Sequence, residues 1–204
     1  MAAALPTPST ELEAVNVMLT TIGETMVNTL AEPTSADVAV AKQVLAEVSR
    51  DVQGWAWHFN TEDHYPLPIN GDGEIVLPPN VLRVDVNPNE YPTIDPVQRG
   101  NRLYDKESHS FKFSGTLHAT VVLYLPFDQL TEAARRHITV KAARVFADRL
   151  MGTDDLHTYS KQDELDTLAL LRKADAATGN PNIFRGSARK PNARYSPAQA
   201  IQRS

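Results

Sequence analysis

The sequence predicts an α+β protein: a helical bundle with an inserted small antiparallel β-rich domain and an extended C-terminal arm. Three observations carry that expectation. Apolar residues recur at intervals of three and four over residues 10–59 and again over 129–178. Between these stretches the helical period disappears, and residues 60–101 alone hold half of the chain's 14 prolines. After Ala176 there is no Asp or Glu, while Arg185, Arg189, Lys190, Arg194 and Arg203 are all basic. The divisions that follow are 10–59 plus 129–178 for the bundle, 60–126 for the insertion and 179–204 for a flexible arm.

Thr10 is placed to cap a first helix, with Glu11 and Glu13 in a first turn where the helix dipole favours acids. Leu12, Val15, Leu19 and Ile22 follow at helical spacing with Met18 beside them, and Gly23 supplies the stop. Ser35 caps a second helix carrying Val38, Ala41, Leu45, Val48 and Val52. That helix ends near Gly54 and delivers Trp55, Trp57 and Phe59, which are expected to pack in the core or between bundle and insertion.

In the insertion, extended runs are expected at Glu74–Leu77, Val81–Val86 and Arg102–Tyr104, separated by the turn chemistry of Gly71-Asp72-Gly73 and Asn87-Pro88-Asn89. Within Val81–Val86, Leu82, Val84 and Val86 are assigned to one face and Arg83 and Asp85 to the other. The clearest strand is Gly115–Leu125, with Leu117, Ala119, Val121, Leu123 and Leu125 on one face and Pro126 closing it. Helical spacing returns with Leu130, Ala134, Ile138, Ala142, Val145 and Leu150, and Gly152 ends that helix. A fourth begins at Asp154 or Asp155, with Leu156, Leu165, Leu168 and Leu171 as its apolar stripe. Gly179-Asn180-Pro181 stops it.

Composition narrows function by exclusion. The chain has 204 residues and no cysteine, which removes disulfides, thiolate nucleophiles and cysteine-bound metal centres. No apolar run approaches the ~20 residues that span a bilayer. Residues 1–10 lack the basic flank and apolar stretch of a signal peptide, so synthesis in the cytoplasm is expected. The overall charge of −5 divides unevenly: residues 1–175 carry 15 basic and 25 acidic side chains, and the last 29 residues carry a net +5. An acidic body with a basic tail suits either nucleic acid or an acidic protein surface.

Chemistry-bearing clusters are sparse. His58 and His64, with Glu62 and Asp63 between them, are metal-ligand types without the spacing of a helical zinc pair. His109 and His118 could meet across a hairpin but lack a third ligand, and His137, beside Arg135 and Arg136, is expected at the surface. The acid pairs Glu62/Asp63, Asp72/Glu74 and Asp154/Asp155 are sequence neighbours. Glycosidases instead need two carboxyls facing each other at ~5–9.5 Å. No catalytic, cofactor-binding or metal residue is assigned.

Several segments, taken in order, resemble the tail tubular protein A family of short-tailed bacteriophages. They are Glu11–Asn16 leading to Ile22-Gly23-Glu24, Gln53–Asn60 with its Gly54-Trp55 pair, and Ile75–Leu82 around Pro78. Leu103-Tyr104-Asp105 ahead of Phe111 continues the series, with Lys106 where the family usually has Arg. Leu125–Asp128 followed by Lys141–Arg144 completes it. The resemblance covers roughly Glu11 to Thr178. It implies a structural, non-enzymatic head-to-tail adaptor in the virion tail. Such a subunit forms a homo-oligomeric ring, a dodecamer, between the portal protein and a tail nozzle similar to tail tubular protein B. Tail fibres are a further partner of such rings, and DNA passes through the channel without specific binding.

The arm shows none of these landmarks, so its role rests on its residues. Ile183, Phe184 and Tyr195 are apolar anchors in a segment that cannot bury them alone, flanked by Arg185, Arg189, Lys190 and Arg194. The arm is expected to dock on a neighbouring ring subunit or the portal. Two other readings compete. One is a tail-associated enzyme that degrades glycans with carboxylates of the insertion. The other is a DNA-binding module that uses the arm, whose affinity would fall steeply with salt.

Overall fold

The computed structural model describes residues 8–31, 35–152 and 154–178. Among these are four α-helices and five strands, an α+β chain. The expected arm and its anchors Ile183, Phe184, Arg185, Arg189, Lys190, Arg194 and Tyr195 lie outside the described residues.

Helix α1 spans Glu11–Thr21 and opens on a reciprocal cap. The Thr10 hydroxyl accepts from the Glu13 amide, and the Glu13 carboxylate accepts from the Thr10 amide at 2.7 Å. Helix α2, Ala36–Gln53, is capped by Ser35, whose hydroxyl accepts from the Val38 amide. Helix α3, Glu132–Met151, is capped by Thr131 and stopped by Gly152 at φ 61°. Helix α4 runs Asp154–Thr178. Helix α3 packs against the other three. Ala14, Val15, Met18, Val38, Ala41, Leu45, Val48, Val52, Ile138 and Phe146 form one continuous apolar core with Trp57 and Leu171.

Three helical expectations fail: Leu150, expected in the apolar stripe of α3, is exposed in that helix's last turn, and two others concern the α3–α4 contact. His137 is fully buried, not at the surface, because α4 lies over it and Thr167 faces its ring. Leu165 is 52% exposed, while Thr167 and Leu171 are buried. The inward positions of α4 are thus Glu164, Thr167, Leu168 and Leu171. A polar pair occupies the place expected for an aliphatic one: Arg144 Nε lies 2.6 Å from the Glu164 carboxylate.

The β-rich part has its own apolar cluster, which includes Leu67, Ile75, Leu77, Leu103, Phe113, Leu117, Ala119 and Val121. Strands β1 (Thr61–Leu67), β2 (Val81–Val86) and β5 (Leu117–Leu123) form an antiparallel sheet in the order β1-β5-β2. Strands β3 (Pro96–Arg99) and β4 (Arg102–Asp105) form a separate hairpin. The central β5 is the strand with the clearest alternation, and Leu117, Ala119 and Val121 face the core as expected.

The neighbours of β5 depart from expectation. In β2 the register shifts between Val81 and Arg83, a bulge at Leu82. The extra residue puts Val81, Val84 and Val86 with the core cluster in place of Leu82, Val84 and Val86. Glu74–Leu77 makes no continuous ladder, only isolated bridges from Glu74 to Lys112 and from Val76 to Arg102. Its side chains still alternate, with Ile75 and Leu77 buried and Val76 exposed.

Candidate functional site

The helical and β-rich parts meet where α2 ends, and two amides organise that meeting. The Gln53 side chain, fully buried, accepts from the Leu125 amide at 2.7 Å and donates to the Leu125 carbonyl at 3.0 Å. It thereby treats the outgoing end of β5 as a strand partner would. The Asn60 side chain donates to the Gln53 and Leu123 carbonyls at 2.9 and 2.8 Å and accepts from the Trp57 amide. Chain entering the β-rich part and chain leaving it are therefore fastened to the same helix end. Buried amides with every valence used are costly to disturb, since each orphaned partner loses ~1–3 kcal/mol.

Between Gln53 and Asn60 stand three aromatic rings. Trp57 is buried, and its indole N–H donates to the Val52 carbonyl at 2.7 Å. Trp55 and Phe59 stack on either side of it, at centroid distances of 6.0 and 6.5 Å. Only part of the row is core: Phe59 packs against the helical cluster, but Trp55 is 47% exposed. Lys141 Nζ lies 5.7 Å from the Trp55 ring. Ala56, between the two tryptophans, takes a left-handed φ of 62°, which costs a non-glycine residue ~1–2 kcal/mol. Helix α4 closes the region: the Asp175 carboxylate accepts from the His58 amide at 2.7 Å.

A second polar centre holds the β3–β4 hairpin. The buried Asp105 carboxylate accepts from the amides of Asp95, Glu107 and Ser108 and from the Ser108 hydroxyl. Burial alone would push its pKa up; those four donors outweigh that and hold it below the ordinary carboxylate value. Nearby, Arg102 grips Glu74 with two contacts of 2.8 and 2.9 Å and covers the Phe111 ring.

The sequence-level candidates for chemistry fall apart spatially. Glu74 is committed to Arg102. Asp63 accepts from Thr120 at 3.1 Å and sits with His64, at φ 54°, where the β1 register shifts. His118 is on β5 beside Tyr91, while His109 is in the turn after β4, part of the other sheet. The side chains of Asp154 and Asp155 are outside the described residues. Among the described residues no three His, Asp or Glu side chains are grouped to hold a metal ion, and no helix is long and apolar enough to cross a membrane. His137 is buried against Thr167. Burial pushes its imidazole pKa down; Glu164 opposes the shift, and Lys141 and Arg172 add to it.

Residues 12–181 match the family described as Tail tubular protein, which is most of the chain. The chain belongs to the tail tubular protein family. Membership makes it a structural component of a phage tail and points to assembly in place of catalysis. No curated protein matches the chain.

Several of the landmarks that suggested the tail tubular family fix places where the backbone turns, while Lys141–Arg144 lies inside α3. Asn16 exchanges hydrogen bonds of 2.8 and 3.0 Å with the Val27 backbone, pinning the loop after α1. Gly23 takes φ 82° at the end of that helix. Gln53 and Asn60 bound the aromatic row, and Asp105 anchors its hairpin. Sequence reasoning had Gln53, Asn60 and Asp105 only as parts of the family landmarks and gave none of them a structural role. Their signal was a polar residue beside an apolar stripe or inside a Pro-rich segment, and such residues are usually solvated.

Proposed function

We propose that this tail tubular protein is an adaptor subunit of a short phage tail. In this reading, copies close into a ring, a dodecamer, that joins the portal to the nozzle and forms part of the DNA ejection channel. The observation that carries the proposal is the family match over residues 12–181. The structure suits the role. A ring subunit transmits force between two neighbours, and here the helical and β-rich parts are fastened through one buried clamp of Gln53 and Asn60. The net charge of −10 over residues 1–175 suits a channel wall that lets DNA slide, because Lys and Arg density would grip phosphates.

We further propose that residues 10–59 with 129–178, and residues 60–126, act as two structural units. In the assembled ring the arm docks on a neighbouring subunit or the portal. Ile183, Phe184 and Tyr195 anchor it, and Arg185, Arg189, Lys190 and Arg194 meet acids of the body. Negative-stain imaging of the purified protein, alone and with its portal, tests the proposal. Closed rings seated on the portal are expected. A protein that forms no ring and leaves the portal bare in every condition contradicts it.

A further inference from the structure

The chain has two tryptophans, and the fold treats them oppositely: Trp57 is buried, while Trp55 presents about half its surface to water. The exposed indole of Trp55 has a firm support, since it stacks on the buried Trp57 and has the Lys141 ammonium 5.7 Å from its ring. A fixed, half-open indole is the kind of side chain that anchors protein contacts.

The position of α4 indicates what covers it. Asp175 contacts the His58 amide, within the segment that carries the aromatic row. The helix ends three residues later, at Thr178. The described chain therefore ends within one helical turn of a contact with that segment. The first bulky apolar residues beyond it are Ile183 and Phe184, five and six positions past Thr178. At ~3.3 Å per extended residue, Phe184 can reach ~20 Å from the helix end. The last 29 residues and the rest of the chain also complement each other in overall charge, +5 against −10. Residues 182–204 lie past the end of the family match, so the occupant belongs to this chain in particular.

We infer that Ile183 and Phe184 pack onto the open face of Trp55 of the same chain in the free subunit. The contact is intramolecular, so a tether this short gives an effective concentration of roughly millimolar and the contact persists on dilution. It concerns the subunit before assembly, when no neighbour is present to take the arm, and it rests on the arm reading above only in using the same anchors. On assembly the same side chains become available to a neighbour, an exchange of one contact for an equivalent one.

The test is acrylamide quenching of tryptophan fluorescence in the full-length protein. Compared are the parent, the double variant Ile183→Ser/Phe184→Ser, and each with Trp55→Phe. The double variant is expected to raise the quenching constant about twofold, unchanged by roughly tenfold dilution. Its emission should shift to the red with the melting temperature unaltered. Once Trp55→Phe is present, the arm substitutions should change nothing. Equal quenching in parent and double variant overturns the inference, and so does an arm effect that survives Trp55→Phe. Protection that disappears on dilution assigns the contact to a second copy and also overturns it. None of these results depends on ring formation, so the adaptor reading stands or falls separately.

Discussion

The helical and β-rich parts are stabilised in different ways. In the helical part four helices share one apolar core, and α3 is its axis. Polar contacts there sit mostly at helix ends, within single helices and between facing helices, around that core. In the β-rich part the strands are four to seven residues long and the turns between them are extensive. Side chains bonded to backbone do much of the positioning: Asp105 in its hairpin, Asn70 beneath the amides of Asp72 and Glu74, Tyr91 holding the His118 amide. A helix satisfies its own backbone, so packing can be left to apolar side chains. Short strands and long turns leave backbone groups that side chains must satisfy. The β-rich part should accordingly depend more on polar detail and on pH.

The largest expected effect is in the helical core. Phe146→Ala empties a fully buried site and should cost about 3–5 kcal/mol. Chemical denaturation measures it, and a loss below 1 kcal/mol would mean the core is not the anchor described here.

Next comes the clamp between the two parts. Asn60→Ala orphans the Trp57 amide and takes a donor from the Gln53 and Leu123 carbonyls, a loss of about 2–4 kcal/mol. Hydrogen exchange should then quicken at β1 and at the end of β5 while α1 stays protected. Uniform loss of protection would mean that the junction and the helical core are one cooperative unit.

Asp105→Asn should cost less, about 1–3 kcal/mol, because one oxygen can still accept. Its pH signature is sharper. The folded pKa lies below the unfolded one, so the stabilisation is present above about pH 4 and is lost as pH falls through the folded value. The Asn variant should lack that acid-side loss, as melting temperatures followed down to about pH 2 will show.

The smallest effect is at His137. Its folded pKa is also lowered, so neutral burial favours folding above about pH 6.5 and stability declines as pH drops below that value. His137→Gln keeps a partner for Thr167 and removes the titration. The melting temperature of the variant should vary less than the parent's between about pH 7 and 5. Identical slopes would show that α4 opens freely enough to hydrate the ring.

The same contrast explains what the sequence revealed. All four helices and their caps at Thr10 and Ser35 were readable, because an apolar stripe and a capping hydroxyl are local signals. So was β5, the central strand, whose neighbours on both sides enforce alternation. Its partner β1 was hidden: Thr61–Leu67 is mostly polar, contains Pro66 and carries the irregularity at His64, as edge strands do. Strand β3 begins with a proline for the same reason. The bulge at Leu82 reassigned faces that a strict period of two had fixed. The burial of His137 was unreadable from α3 alone, because it is imposed by α4. The clamp was hidden for a deeper reason: Leu123 and Leu125 are remote in sequence from Asn60 and Gln53, and nothing local marks an amide that will meet chain 72 residues away.

The adaptor reading is tested most directly by a reconstruction of the assembled virion tail at side-chain resolution. The account predicts copies of this chain in a closed ring between portal and nozzle, each with Gln53 and Asn60 still clamped to Leu123 and Leu125. A tail in which the chain is missing from that interval, or lies outside the channel without closing a ring, would contradict it.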